Sequence, residues 1–204
     1  MTDDMWGFEY KNSVKIRKHY WDNVYLLDAV YWSRKSHDPE TQCGCVIVNP
    51  LDNTPVSHGY NGFVRGVDNS QLPDKRPDKY PFMIHAEANA IYNAVRQGKS
   101  TQGMRVYITG RPCASCYQMM HQCGIDEIVY TNVSKPKMID NCKAFDTIRD
   151  VLDLGGPELV FIDKSNLDVS FFEVAFHLLR LLGKLSPRLL GSFSLMVQNL
   201  NRRD

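Results

Sequence analysis

The sequence predicts an α/β fold of three layers, a sheet covered on both faces by helices, and three observations predict it. Short apolar runs alternate with helix-length periodic segments from about residue 19 to residue 162, and alternation of this kind builds a sheet with helices on both sides. The chain has 204 residues, 43% of them apolar and 23% charged, enough to bury one core but short for two full domains. No internal repeat or low-complexity tract interrupts the pattern.

Trp6, Phe8 and Tyr10 alternate in a polar opening stretch, read as an N-terminal arm over residues 1–17. Between His19 and Lys35 the apolar residues Tyr20, Val24, Leu27, Val30 and Tyr31 recur at helical spacing, and Asp38-Pro39 closes the run. Cys45-Val46-Ile47-Val48 is a strand stopped by Asn49-Pro50, with Pro55–Tyr60 as its hairpin partner. Residues 63–83, rich in Arg, Asp, Lys and Pro, form a long connection of the kind that serves function, here a substrate or effector lid. Ala86, Ala90, Ile91 and Ala94 predict a helix ending near Gly98, and Met104–Thr109 a buried strand. A helix over Cys113–Gln122 ends at Gly124, a strand follows at Ile128–Tyr130, a helix at Lys143–Leu154, and a last strand at Leu159–Ile162. The domain spans residues 18–163. Residues 164–204 then read as a helical extension, with an apolar helix from Phe171 to Leu182, an interruption at Pro187, and another helix over Leu189–Leu200.

A net charge of +1 leaves no basic field to hold a nucleic-acid polymer, so small substrates are expected. Even Phe171–Leu182 contains Glu173, His177 and Arg180, so no segment has the uninterrupted apolar length of a membrane span. The opening residues lack the layout of a secretory signal, which predicts a cytoplasmic protein. Six cysteines in that setting point to reduced thiols or metal binding, not disulfides.

Two short motifs carry the chemistry. His85-Ala86-Glu87 and Pro112-Cys113-Ala114-Ser115-Cys116 supply one imidazole and two thiolates, and three protein ligands leave a tetrahedral zinc with one position for water. Cys113 and Cys116 stand one helical turn apart, near a helix start that favours thiolates. Pro112 suits the first turn of that helix. Glu87, in the first turn after His85, can reach the water without ligating the metal and shuttle its proton to a departing amine. Joined, the motifs match the signature of zinc nucleobase deaminases. Cys123 or His121 would be the fourth ligand of a purely structural site. Tyr130, at a strand's end, is a candidate to stack on the base. Cys43 and Cys45, on one strand face, are expected as small buried hydrophobes, and Tyr20, Tyr31 and Tyr107 as core.

Further segments carry a specific resemblance. Ser36-His37-Asp38-Pro39-Glu40-Thr41-Gln42-Cys43-Gly44-Cys45-Val46-Ile47-Val48, Gly59-Tyr60-Asn61-Gly62, and Lys79-Tyr80-Pro81 before His85-Ala86-Glu87-Ala88-Asn89-Ala90-Ile91 resemble the deoxycytidylate (dCMP) deaminase family, over residues 20–162. The resemblance implies a cytidine-deaminase-like three-layer sandwich with a five-stranded mixed sheet, usually assembled as a homohexamer. It implies the reaction of dCMP and water to dUMP and ammonia. On that mapping His85, Cys113 and Cys116 bind zinc, and Glu87 protonates ring N3 and the leaving amine. Ala86 offers its backbone N–H to the base carbonyl, Asn61 contacts the sugar, and Lys35-Ser36-His37 stands at the position that binds the phosphate. His37 replaces the lysine common there, with Arg34 or Lys35 able to compensate. Arg111, beside the ligand loop, is another residue that could meet an anion. Members of this family are often activated by dCTP and inhibited by dTTP, with magnesium, through the loop represented here by Asn61, Gly62, Phe63, Gly66 and Asp68. Two alternatives stay open: an enzyme of the same fold acting on dCTP, a modified dCMP or another cytosine nucleotide, and a non-catalytic subunit that keeps the zinc fold.

Overall fold

Five strands build one sheet in the order β4-β3-β5-β6-β7. The strands are β3 (Gly44–Asn49), β4 (Thr54–Tyr60), β5 (Met104–Ile108), β6 (Ile125–Tyr130) and β7 (Glu158–Phe161). β3 runs antiparallel to both β4 and β5, whereas β5, β6 and β7 are mutually parallel, so the sheet is mixed as expected. The structure is a computed structural model, and it describes residues 8–11, 14–17, 20–134 and 155–167. The helices expected over residues 143–154, 171–182 and 189–200 lie outside the described residues.

Part of the stretch read as an N-terminal arm is strand. Phe8–Lys11 (β1) and Val14–Arg17 (β2) pair antiparallel in a separate two-stranded sheet, in which Phe8 and Tyr10 stand at the two-residue period of a strand. The chain divides into two compact units, Met1–Phe161 and Ile162–Asp204. In the second unit a single turn of 3₁₀ helix, Lys164–Asn166, is capped by Asp163, which accepts a bond from the Ser165 N–H at 2.8 Å.

Every residue from Gly44 to Val48 is buried, because β3 has helices on both faces. Helix α1 (Tyr20–Ser33) covers one face: Tyr25 packs on Tyr107 with ring centroids 5.3 Å apart, and the Tyr107 hydroxyl bonds Asp22 Oδ1 at 3.0 Å. Helices α2 (Ala86–Arg96) and α3 (Ala114–Gln122) cover the other. There Cys45, Ile47, Val106, Ile108 and Ile128, alternate residues of their strands, pack with Ala86, Ala90, Tyr117 and Met120 in one cluster. Full burial of each large aliphatic side chain there is worth about 1.5–3 kcal/mol.

Two glycines set how closely helices approach the sheet. A Cβ on Gly44 would stand 1.9 Å from the Ala29 carbonyl oxygen in α1, and one on Gly59 would stand 2.3 Å from the Ala86 carbonyl and 2.4 Å from Ala90 N in α2. Side chains of α2 and the segment after it then satisfy the outer carbonyls of β4, the edge strand. Asn89 donates to Tyr60 O at 2.8 Å, Asn93 to His58 O at 2.7 Å and Lys99 to Val56 O at 2.8 Å. An edge finished in this way offers no template for a further strand.

Tyr20 and Tyr31, expected in the core, are 67% and 62% exposed, whereas Tyr107 is fully buried as expected. The buried face of α1 is instead Asp22, Tyr25, Leu26, Ala29, Val30 and Ser33, with Leu27. Tyrosine counts as apolar in a periodicity but keeps a polar end that tolerates water. Among the described residues, no helix is long and apolar enough to cross a membrane.

Candidate active site and metal centre

The starts of α2 and α3 meet on the same side of the sheet. His85 is the N-cap of α2 and Cys113 the N-cap of α3, both with extended backbone, and neither side chain turns back to cap its own helix. Each is thereby free to point outward. Pro112 precedes the cap instead of opening the helix, and Ala114 takes the first helical position. Cys116, one turn into α3, is buried.

His85 Nδ1 lies 3.6 Å from Cys113 Sγ and 3.4 Å from Cys116 Sγ. The three ligand atoms all fall within 4.8 Å of one another. Zinc bonds of about 2.0–2.1 Å to nitrogen and about 2.3 Å to sulfur, at tetrahedral angles, put nitrogen and sulfur about 3.5 Å apart. The donor set fits zinc in type and spacing.

The charges agree. A hydrogen bond with Cys116 chiefly, and another with His85, bring the Cys113 thiol down to about 4 against the opposing effect of burial. Cys116 is pushed far up, first by its bond to the Cys113 thiolate and then by burial. The bond to Cys113 raises His85 to about 9, with burial opposing. Glu87 is 6% exposed, and burial raises its carboxyl above the usual range while the His85 charge opposes the shift. A carboxyl moved toward neutral pH in this way is suited to taking and returning a proton. Cys45 is fully buried and Cys43 half-buried, and burial raises both thiols, Cys43 to about 12, with the nearby Glu87 carboxylate adding in each case. Thiols so protonated are inert packing groups.

Ala86, the first residue of α2, is buried beside His85, and its N–H is among the four at a helix start with no acceptor inside the helix. Asn61 is buried, and its amide is engaged locally: Oδ1 accepts from Cys43 N at 2.7 Å and Nδ2 donates to Thr41 O at 2.8 Å. Lys35 and His37 are exposed and Ser36 half-buried, its hydroxyl accepting from Asp38 N at 3.1 Å. The His37 ring lies beside Gly62, 3.4 Å from where a Cβ would stand. Tyr130 packs against Phe161, ring centroids 5.2 Å apart, so that aromatic partner is a neighbouring strand. Cys123 and His121 are not part of the three-ligand cluster.

In the long connection, Gly62 bridges to Ile84, directly before His85. Phe63 is half-buried and Gly66 takes a φ of +77°, which glycine adopts freely. Asp68 is exposed and accepts from Ser70 N at 3.0 Å. Arg65 reaches back to Asn93 Oδ1 of α2 at 2.7 Å.

The residues that tie these loops together escaped sequence reasoning. Thr109 Oγ1 accepts from Gly44 N at 3.0 Å and from the Ser134 hydroxyl at 2.8 Å, joining the ends of β3 and β5 to the segment after β6. Lys79, 1% exposed, bonds Asp38 Oδ1 and Glu40 Oε2, each at 2.6 Å. Lys79 stood in a segment quoted for its resemblance, the one signal available for it.

Residues 19–132, more than half of the chain, match the family described as cytidine and deoxycytidylate deaminase zinc-binding region. The chain belongs to this deaminase family. The matched region contains His85, Glu87, Cys113 and Cys116. A probable deoxycytidylate deaminase of Drosophila melanogaster is 36% identical over 127 residues, 56% of this chain and 61% of that protein. The deoxycytidylate deaminase of Pongo abelii is 35% identical over 126 residues, 58% of this chain and 69% of that protein. The chain thus aligns with about two thirds of the length of these relatives. In fold it is similar to the dCMP deaminase of cyanophage S-TIM5, solved in complex with dCMP and dUMP, with a TM-score of 0.60, 23% identity, and coverage of 72% of this chain and 100% of that one.

Proposed function

We propose that this deaminase hydrolyses dCMP to dUMP and ammonia. The observation that carries the reading is the cluster of His85 Nδ1, Cys113 Sγ and Cys116 Sγ at zinc-ligand spacing, with the buried Glu87 two residues from the histidine. A zinc ion held by these three donors supplies the Lewis acidity that lowers the pKa of water to about 7 and makes a nucleophile available at neutral pH. Hydrogen bonds with Cys116 and His85 favour the thiolate of Cys113, and its place at the start of α3 acts in the same direction. Glu87 takes the proton that water gives up. It gives that proton to ring N3 as the water oxygen bonds the ring carbon, then takes the second proton from that oxygen and gives it to the exocyclic nitrogen, which leaves as ammonia as the C–N bond breaks. Its buried setting excludes competing water and keeps its affinity for that proton high. The N–H of Ala86 holds the base carbonyl.

Lys35, Ser36 and His37 receive the phosphate in this reading. Asn61 serves the sugar by shaping the 41–43 turn, since that is where its amide is engaged. Tyr130 borders the base through its packing on Phe161. Control by dCTP or dTTP with Mg²⁺ through Asn61, Gly62, Phe63, Gly66 and Asp68, assembly as a homohexamer, and a cytoplasmic location belong to the same reading. Its support for effector control is the conformation of Gly66 and the bond from Arg65 to α2, which link this loop to the helix bearing Glu87. The domain limits proposed are an arm over 1–17, the deaminase domain over 18–163 and an extension over 164–204.

Ammonia release by the purified, zinc-loaded protein tests the activity on dCMP, dCTP, CMP and cytidine. Turnover of dCMP with the highest kcat/KM is expected. Preference for dCTP or CMP would move the substrate within the family, and no turnover of any of the four would overturn the enzymatic reading in favour of a subunit that keeps only the fold.

A further inference from the structure

Lys79 is a lysine with almost no contact with water. A buried ammonium is costly unless its partners are close, and here two carboxylates meet it at 2.6 Å. Arg76 joins the same group, its Nε 3.6 Å from Glu40 Oε2 and its guanidinium bonded to the Thr41 hydroxyl. One end of the long connection between β4 and α2 is thus clasped to the turn between α1 and β3. Asp38 Oδ1 also accepts from the N–H groups of Glu40 and Thr41, at 2.8 and 3.0 Å, so the clasp sets the backbone of that turn.

From the clasp the bonding runs through the Asn61 side chain to the backbone beside His85. Thr41 O takes the Asn61 amide, Asn61 takes Cys43 N, and Gly62 exchanges hydrogen bonds with Ile84 at 2.8 and 3.0 Å, one residue before His85. The turn also bears the exposed Lys35 and His37, and the His37 ring stands 3.4 Å from where a Cβ on Gly62 would lie, beside the bridge from Gly62 to Ile84 that directly precedes His85. A buried ion cluster adds little net stability compared with apolar packing of the same volume. What it adds is one defined geometry.

We propose that Lys79 is a positioning residue for substrate, holding the 36–42 turn through Asp38 and Glu40 so that His37 and Lys35 meet the phosphate of the nucleotide. The proposal rests on the reading of the substrate as a nucleoside monophosphate. Lys79 touches neither substrate nor metal in this arrangement. Loss of its charge therefore weakens binding and leaves the chemical step nearly intact.

Steady-state kinetics on the zinc-loaded protein test this, with dCMP as substrate and dUMP as product inhibitor. In Lys79→Met, KM for dCMP and Ki for dUMP rise together by roughly tenfold, the scale of one charged hydrogen bond, while kcat and zinc content stay close to wild type. Lys79→Arg restores most of the loss. Glu40→Gln, which strands no buried carboxylate, shifts KM and Ki in the same direction by a smaller factor and carries the test if Lys79→Met does not fold. Unchanged KM in a folded Lys79→Met or in Glu40→Gln, or a fall confined to kcat or zinc content, overturns the proposal alone. Failure of the wild type to turn over dCMP overturns the substrate reading, and this proposal with it.

Discussion

His85 Nδ1 lies 3.4 Å from Cys116 Sγ, at the spacing of two ligands on one zinc ion, although the side chains carry opposite tendencies toward protons before metal binds. Cys113, depressed to about 4, is already a thiolate at pH 7.5. His85, raised to about 9, is protonated there, and Cys116, raised far above its ordinary value, is also protonated. Zinc binding at pH 7.5 therefore releases about two protons from the ligands, one from His85 and one from Cys116, and about one above pH 9 where His85 has already lost its own. Calorimetric titration of metal-free protein in buffers of different ionisation enthalpy reads this number directly. Ionisation of a zinc-bound water with a pKa of about 7 would add nearly the same amount at both pH values, so the fall in release between them is the signature of His85, and no fall would mean that His85 is already neutral at pH 7.5.

Glu87 and Cys113 are separable by mutation because only one of them meets the metal. Glu87→Ala keeps zinc, since the ligand atoms come from His85, Cys113 and Cys116, and loses roughly 10²–10⁴-fold in kcat with its proton shuttle. Cys113→Ala loses zinc and activity together. Metal content by elemental analysis, measured beside the rate of ammonia release, distinguishes the two. Near wild-type turnover by Glu87→Ala would remove the shuttle from the mechanism.

Gly59 bears on catalysis from outside the site. An added methyl would stand 2.3 Å from the Ala86 carbonyl and 2.4 Å from Ala90 N, both backbone atoms that no rotamer change can move. Gly59→Ala must push α2 from the sheet, at a cost of about 1–3 kcal/mol, the usual scale of overpacking. Because His85 and Glu87 ride on the start of α2, zinc affinity falls as well. Urea unfolding and a zinc competition titration are expected to shift together. A stable variant with wild-type zinc affinity would show that the helix is free to move.

Much of this was legible in the sequence because it is written in short-range patterns. The strands at Cys45–Val48 and Met104–Thr109 are apolar runs with punctuation at their ends, and the ligands sit in motifs a few residues long, so local spacing located them. The α1 face was read less well: Tyr20 and Tyr31 fitted the helical period, yet burial followed Leu26, Ala29 and Val30, because hydropathy does not say which aromatic keeps its hydroxyl in water. The clasp was invisible. Lys79 and Asp38 are 41 residues apart, and nothing in composition or period pairs a cation with an anion at that separation. Only the antiparallel closure of β3 on β4, and the return of the chain to α2, brings them together.

Asn61 illustrates the same limit and yields the last prediction. The family resemblance implies a contact with the sugar, and the structure engages both ends of its amide in the turn, Oδ1 with Cys43 N at 2.7 Å and Nδ2 with Thr41 O at 2.8 Å. An asparagine used in this way needs both its donor and its acceptor. Asn61→Asp keeps the acceptor for Cys43 N but turns a second oxygen toward the Thr41 carbonyl, and buries a charge with no cation in its immediate bonding set. Asn61→Ala leaves the Cys43 N–H and the Thr41 carbonyl without these partners, at about 1–3 kcal/mol for each buried group left unsatisfied. Both variants are therefore less stable than wild type in thermal unfolding, with Asn61→Asp the worse above the pKa of the new carboxyl and recovering as pH falls and the acid regains a proton to donate to Thr41 O. A purely sugar-binding asparagine would give the opposite pattern, with melting unchanged in both variants and the whole effect in KM for dCMP.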